Sequence, residues 1–296
     1  MKLVKSKDID KKKWNDLVKK NQGSLFFYSE YLDLFAKNWL IYVDENYSKG
    51  AAFVYNQQLQ VKLIYPSFYQ RNCEFYSLNK EEIEICLSKI QDEFKIGQLY
   101  SEIENLNLNK ATKTVRKFQV FDNNENYNSL AKRMIKKAEK CGFEIKNCDF
   151  DQLKPILEAE LIDKIPGFDK NNSLKLQKLF KIKEIQYKIY ISGIYKQDIL
   201  KGGMVFIIEN SKIIYLIGAS DAETKKNGGM YLCMNQAINL ARNNNFEFDF
   251  GGSNIDSIRQ FYLNLGGSDK NYYAYSWDNT SLIFKLIRKI YKRIKG

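Results

Sequence analysis

The sequence contains no histidine. That absence removes Ser-His-Asp and Cys-His nucleophilic catalysis, a histidine general base and His-ligated zinc or iron. The five cysteines, Cys73, Cys86, Cys141, Cys148 and Cys233, form no CxxC pair, and neither GxxxxGK[ST] nor a strand-placed GxGxxG occurs. Metal and P-loop chemistry therefore have weak support, and proton transfer falls to carboxylates, tyrosine, lysine, cysteine, serine or backbone amides. The segment that draws attention is FEFDFGGSNIDSIRQFYLNLGG, residues 246–267. Asp249 alternates with Phe248 and Phe250, the chain breaks at Gly251-Gly252-Ser253-Asn254, and a helix-like run carrying Tyr262 closes on a second glycine pair. Four of 16 glycines around one segment mark a backbone that turns sharply or lets another group come close.

Period and punctuation predict the elements that hold this stretch. The first half reads as helices over 14–21, 25–39 and 81–93 and strands over 40–43, 50–56, 60–65, 98–103 and 115–121. The run YNSLAKRMIKKAEKC, 127–141, sets Leu130, Met134, Ile135 and Ala138 on one side of a helix and five basic residues on the rest, with Gly142 as its C-cap. The second half reads as helices over 150–161 and 173–180, then strands over 184–192, 202–209 and 212–219, the last two joined by the two-residue turn Asn210-Ser211. A polar loop, ASDAETKKNGG, leads into a helix over 230–243, a short strand over 246–250, the glycine break, a helix over 256–265 and a strand over 272–277. The expected fold class is α/β with mixed α+β sheets, divided into 1–145, 146–280 and a basic tail over 281–296.

Lys+Arg 47 against Asp+Glu 35 gives a net charge of +12. Such a balance serves solubility, or an anionic partner such as nucleic acid, a phospholipid surface or a phosphorylated substrate. The helix over 127–141 poses the same choice between a solvated and an anion-binding face. The tail SLIFKLIRKIYKRIKG puts isoleucines and leucines on one helical face and six basic residues on the other. It can pack on the protein or lie on an anionic membrane, where each basic residue contributes about 1 kcal/mol. No apolar run approaches the roughly 20 residues of a bilayer span, and the start MKLVKSKDIDKKKW has no apolar stretch after its lysines. With scattered, odd-numbered cysteines, this predicts a cytoplasmic protein, peripheral at the inner face of the membrane where the tail engages it.

Three strands, a polar glycine-containing loop, a helix, a strand, a helix and a strand is an order that resembles the GNAT acyltransferase fold. There two neighbouring strands splay, a thioester donor lies in the gap, and its pyrophosphate meets the next helix N-terminus. The likeness makes 212–219 and 246–250 the splayed strands. It places the pyrophosphate on Lys225, Lys226, Asn227, Gly228 and Gly229, with Gly251, Gly252, Ser253 and Asn254 lining the gap. In IRQFYLNLGG, Tyr262 and Gly266 match the Tyr-x-x-x-Gly helix ending whose tyrosine protonates the departing thiolate, a task suited to a phenol protonated at neutral pH. The basic helix RMIKKAEKCGF, the GAS-D loop and the DFGGS break are similar to Fem-type aminoacyltransferases, which build peptidoglycan cross-bridges from two GNAT-like halves in tandem. Fem-type enzymes carry F-K-x-x-aromatic-G at this helix; here Phe261 keeps the aromatic and Tyr262 replaces the lysine, which favours a thioester.

The resemblance implies an N-acyltransferase carrying an acyl group from acyl-CoA, such as acetyl-CoA, to an amine of a small-molecule or lipid-linked envelope precursor, with no metal and no DNA partner. The donor would sit in the second half, with the acceptor between the halves. Tyr262 would be the general acid, and Asp221, Glu223 or Asp249 the base. For Asp249 the stronger reading is a strand-end residue bonding the next turn, and for Asp221 a loop or helix-cap residue. The rivals are an aminoacyl-tRNA-dependent transferase of the peptidoglycan-bridge type and a non-catalytic relative that binds membrane or nucleic acid.

Overall fold

The structure is a computed structural model that describes residues 1–58, 61–121, 126–162, 164–165, 167–182, 187–252, 255–285 and 288. Its elements run β1 (Lys2–Lys5), α1 (Lys11–Lys20), α2 (Ser29–Phe35), β2 (Asn38–Val43), β3 (Gly50–Gln58), β4 (Val61–Ile64), β5 (Phe75–Tyr76), α3 (Lys80–Glu93), β6 (Ile96–Ser101) and β7 (Thr112–Phe121). Then follow α4 (Ser129–Lys140), β8 (Phe143–Asn147), α5 (Phe150–Leu161), α6 (Lys170–Leu179), β9 (Lys188–Lys196), β10 (Ile199–Glu209), β11 (Lys212–Ser220), α7 (Ala222–Lys226), α8 (Gly229–Asn243), β12 (Glu247–Asp249), α9 (Asp256–Asn264) and β13 (Gly267–Asp278). The chain forms two compact units, Met1–Arg116 with Tyr272–Gly296, and Lys117–Asn271. Residue 145, where the sequence suggests a division, lies within β8 of the second unit.

In the first unit β1 to β4 pair as successive antiparallel neighbours. Helix α3 then crosses over, so β6 runs parallel to β4, with Leu63 opposite Ile96. Asn79 and Glu82 close the start of α3 as a reciprocal capping box. Leu87, Ile90 and Phe94 from this helix and its C-cap pack with Phe53, Leu99 and Trp277 in one apolar cluster. The free side of β6 takes Tyr273–Asp278 as an antiparallel strand, and the Trp277 indole donates to the Phe94 carbonyl at 2.9 Å. A segment about 180 residues away in sequence thus completes this unit.

The second unit has the same order: a strand (β8), two helices, three antiparallel strands (β9, β10, β11), a crossover helix (α8) and a parallel strand (β12). The outer side of β12 meets β7 antiparallel, Asp249 opposite Val120. Its core joins Met204, Phe206, Ile213, Cys233, Met234, Ala237, Phe248 and Phe250. The strands of each unit form an open, mixed arrangement.

Several elements differ from the sequence reading for identifiable reasons. The helix expected over 25–39 is a single turn at Leu25–Phe27 followed by α2; Ala36 is extended and Asn38 starts β2. Strand 184–192 is displaced to Lys188–Lys196, the polar loop after β11 folds into α7 with Asp221 as its cap, and the short strands β1, β5 and β8 add to the expected set. Helix 150–161 and the Asn210-Ser211 hairpin turn, both residues at positive φ, match it. The basic tail over 281–296 lies largely outside the described residues; of its apolar positions, Leu282 and Ile283 are 83% and 74% exposed. Among the described residues, no helix is long and apolar enough to cross a membrane.

Replacing Trp277 by alanine removes a buried indole from the first unit's core and leaves the Phe94 carbonyl without its donor. It should lower unfolding stability by about 3–5 kcal/mol, read as a shifted urea midpoint.

Candidate functional site

The centre of the second unit is the place where β11 and β12 part. They pair in parallel at Lys212, Ile213 and Ile214, opposite Glu247, Phe248 and Asp249. There β12 ends, while β11 continues to Ser220. Just past the last pair β11 carries a bulge. Tyr215 faces Phe206 and Ile217 faces Val205, so Leu216 has no opposite number on β10. Bulges at such positions bend a strand and re-aim its side chains. Pairing between these two strands is therefore confined to the first three residues of β11.

The glycine break has a mechanical explanation. Gly251 and Gly252 have φ of +79° and +84°, conformations that side chains rarely adopt. A Cβ on Gly251 would stand 2.8 Å from the Tyr215 carbonyl oxygen, and one on Gly252 would stand 2.7 Å from Cβ of Phe118. The turn is wedged against β11 on one side and β7 on the other. Ser253 and Asn254, expected to line the gap, lie outside the described residues. Asp249, fully buried, accepts from the Gly251 amide at 2.7 Å, so its carboxylate bonds the turn that follows it.

Tyr262 projects from α9 into the same region and is 4% exposed. Its ring stacks on Phe250 with centroids 5.0 Å apart and meets Tyr215 edge-on at 6.2 Å. Burial, aided by the Asp249 charge, pushes its phenol well above the usual range. The group is held protonated, fit to donate a hydrogen bond or proton and unfit to act as a base. Tyr262, Asp249, Gly251 and Gly252 are thus brought together.

The other candidates have separate commitments. Asp221 caps α7, accepting from the Thr224 amide at 2.8 Å. Burial acts to raise its carboxyl, but the Thr224 hydrogen bonds and nearby Lys201 and Lys225 outweigh that and hold it below its ordinary value. Glu223 pairs with Lys196 at 2.6 Å, and Lys225 with Glu160 at 2.7 Å. The Lys226 carbonyl accepts from Lys137 at 3.0 Å, while its side chain is exposed. Gly228, at φ +86°, precedes Gly229 and the first turn of α8, and a Cβ there would run into the Met134 carbonyl. A coenzyme A pyrophosphate would need this turn free and lysines unengaged. Lys225 already carries a carboxylate, while the Lys226 side chain remains exposed. Among the described residues no cluster of Cys, Asp and Glu could hold a metal ion.

Two polar centres that sequence reading missed hold α9. Buried Asn264 accepts from Asn128 Nδ2 at 2.7 Å and Gln260 Nε2 at 2.9 Å, and donates to the Tyr231 hydroxyl at 3.1 Å. Asp269 accepts from Arg259 Nε at 3.0 Å, Lys117 at 3.0 Å and Gln119 at 2.8 Å. The Arg259 hydrogen bond is the main cause that holds the Asp269 carboxyl far below the carboxylate range, with Gln119 and Lys117 adding to it against the opposing effect of burial. Asn264 stands out as a buried polar residue at the end of α9; Arg259 and Asp269 carry no local signal.

No family model and no curated protein matches the sequence. Solved structures do match its fold. FemX is similar at TM-score 0.64 and 12% identity, over 97% of this chain and 100% of that one. L-PGS from Bacillus licheniformis is similar at 0.61 and 12%, over 94% and 95%. A tandem GNAT protein from the clavulanic acid biosynthesis pathway is similar at 0.51 and 6%, over 95% and 99%. The relationship is a distant, full-length likeness of fold to FemX and to a tandem GNAT protein.

Gly252→Ala forces a methyl group into Phe118 at a strained φ and should cost about 1–3 kcal/mol, measurable by thermal denaturation. Asp269 gives a pH test. Its folded pKa is depressed, so its stabilisation is complete above the unfolded carboxylate value of about 4 and is lost as pH falls through the folded value. Asp269→Asn should melt lower than wild type at pH 7, and the gap should narrow as pH falls below 4.

Proposed function

We propose that the protein is an aminoacyl transferase that uses aminoacyl-tRNA as donor and an amine of a cell-envelope precursor as acceptor, with both units GNAT-like and the second catalytic. What supports this reading is that the pairing of β11 and β12 stops beside Tyr262, in a unit where Lys225, one of the expected phosphate-binding residues, is already paired with Glu160. Lys225 pairs with Glu160, and Gly228, just before α8, leaves no room for a Cβ against the Met134 carbonyl; a coenzyme A pyrophosphate on Lys225 would have to displace Glu160. An ester-linked donor makes no demand on that turn.

The corresponding place in the first unit argues for a division of labour. There β4 ends at Ile64, and the loop after it returns to β6, the Cys73 amide donating to the Tyr100 carbonyl at 2.7 Å and Asn72 accepting from the Glu102 amide at 3.0 Å. The remaining space between β4 and β6 is about 20 Å³, room for a water and no more. In the second unit the equivalent loop becomes α7 and is tied to β9 and α5 through Glu223–Lys196 and Lys225–Glu160.

Fold neighbours favour the same chemistry. FemX matches over its whole length, and the solved C-terminal domain of a putative lysylphosphatidylglycerol synthetase from Agrobacterium fabrum matches at TM-score 0.59, 8% identity and 95% of each chain. The latter name describes attachment of an amino acid to another molecule. In the step proposed here, the acceptor nitrogen forms a bond to the aminoacyl carbonyl carbon, the bond to the terminal ribose oxygen breaks, and the proton lost by the nitrogen ends on that oxygen. Tyr262 supplies a neutral hydrogen bond to the carbonyl or departing oxygen. Asp249, held by Gly251, fixes the turn beside it.

Incubation with a charged tRNA pool and a bacterial precursor extract should give tRNA-dependent transfer of labelled amino acid, whereas labelled acetyl-CoA should give none. Tyr262→Phe should lower the transfer rate about 100-fold with little change in stability. Saturable coenzyme A binding by calorimetry, weakened by Lys225→Ala/Lys226→Ala, would instead return the donor to a thioester.

A further inference from the structure

The five cations of α4 are unabsorbed by the reaction described above. Lys132, Arg133, Lys136, Lys137 and Lys140 are all exposed, and Glu139 is the single acid of the helix. None of the five is ion-paired among the described residues. Lys132, Lys136 and Lys140 recur every fourth residue, and Arg133 and Lys137 form the adjoining row. Together they make a stripe about 12 Å long at 1.5 Å per residue.

Three tethers fix this stripe to α9, to the turn before α8 and to α7. At its start, the Asn128 amide donates to the Asn264 carbonyl at 3.0 Å, at the end of the helix that carries Tyr262. In the middle, the Met134 carbonyl abuts Gly228, ahead of α8. Near its end, the Lys137 ammonium donates to the Lys226 carbonyl at 3.0 Å, bringing exposed Lys226 next to the stripe. We propose that the exposed face of α4, with Lys226, is the docking surface for the phosphate backbone of the donor tRNA. This deepens the aminoacyl-tRNA reading and rests on it.

Charge complementarity alone would also suit an anionic membrane, but the apolar side of the helix decides between them. A helix that binds a bilayer surface needs an apolar face free to enter the lipid. In α4 that face is occupied: Ala131 and Ala138 are fully buried in the second unit's core, with Ile135 packed against it. What remains outside is a row of cations on a rigid rod, with nothing to insert. Phosphate backbones are bound by such surfaces, and each phosphate neutralised adds about 0.9 to the slope of log affinity against log salt.

The test compares two charge-reversed variants of the full chain, each replacing three exposed cations by carboxylates: Lys132→Glu/Arg133→Glu/Lys136→Glu on α4, and Lys12→Glu/Lys19→Glu/Lys20→Glu on α1 as control. Binding of labelled, deacylated tRNA is measured from 50 to 200 mM salt. Circular dichroism confirms folding, and an alanine version of the α4 triple guards against misfolding from charge reversal. The expected result is a loss of at least tenfold in affinity at 50 mM salt and a slope smaller by about 2 to 3 for the α4 glutamate variant, with the α1 variant near wild type. Equal losses in both variants, or none in the α4 variant, would overturn the proposal while leaving the donor reading intact if aminoacyl transfer persists. Wild-type protein that ignores tRNA yet sediments with phosphatidylglycerol vesicles through α4 would overturn both.

Discussion

A buried carboxylate that accepts the amide proton of Gly251 fixes the point where two strands cease to be neighbours. Asp249 is the last residue of β12, paired with Ile214 on one side and Val120 on the other. Bonding its own turn compensates part of the cost of burying that carboxylate. The turn so fixed needs two consecutive left-handed residues, each pressed against a neighbouring backbone, which only glycine accommodates without strain. From it the chain proceeds into α9, and Phe250 becomes the platform on which Tyr262 stacks. The raised phenol of Tyr262 follows from the same arrangement, since burial and the Asp249 charge both oppose its ionisation.

Comparison of the two units separates architecture from site. Both contain a strand, two helices, three antiparallel strands, a crossover helix and a parallel strand, so each has a position where the parallel strand can diverge. In the first unit the chain fills that position with its own loop, stitched to Tyr100 and Glu102 by backbone amides. In the second, ion pairs tie the equivalent loop to β9 and α5. The same order of elements thus carries a loop stitched back to β6 in one unit and a short, ion-paired loop in the other, the difference lying in loop length and a few polar contacts. That is the pattern expected when function is grafted on a fold and is not inherent in it.

Legibility from sequence followed the range of the interactions. Helix 150–161, the hairpin at Asn210-Ser211 and the order of elements after residue 200 depend on local period and turn chemistry, and they could be read directly. The helix over 25–39 was over-extended because Trp39 falls one turn after Phe35; its burial comes instead from strand β2, with its indole donating to Asp33. The completion of the first unit by Tyr273–Asp278 and the clamp of Arg259 and Lys117 on Asp269 join residues whose sequence separation carries no pattern. Within the site, the types and neighbourhood of Tyr262, Asp249 and the glycines were legible. The engagement of Lys225 by Glu160 was not, because a lysine's partner is a tertiary fact.

The polar residues that hold α9 bear on why a tyrosine can stand where a cation is expected. A lysine can shift its ammonium through a flexible stem, whereas a phenol acts only where its ring is placed. Positional accuracy must then come from the helix itself. Asn264 ties the end of α9 to α4 and α8, with donors from Asn128 and Gln260 and an acceptor on Tyr231. Arg259, one turn before Tyr262, is fastened to Asp269, and the ring of Tyr262 lies between Phe250 and Tyr215. A neutral donor held this firmly is oriented before any substrate arrives, and preorganisation is what lets a single hydrogen bond count in a low-dielectric site. The network around α9 is therefore the part of the scaffold on which the chemistry proposed for Tyr262 depends.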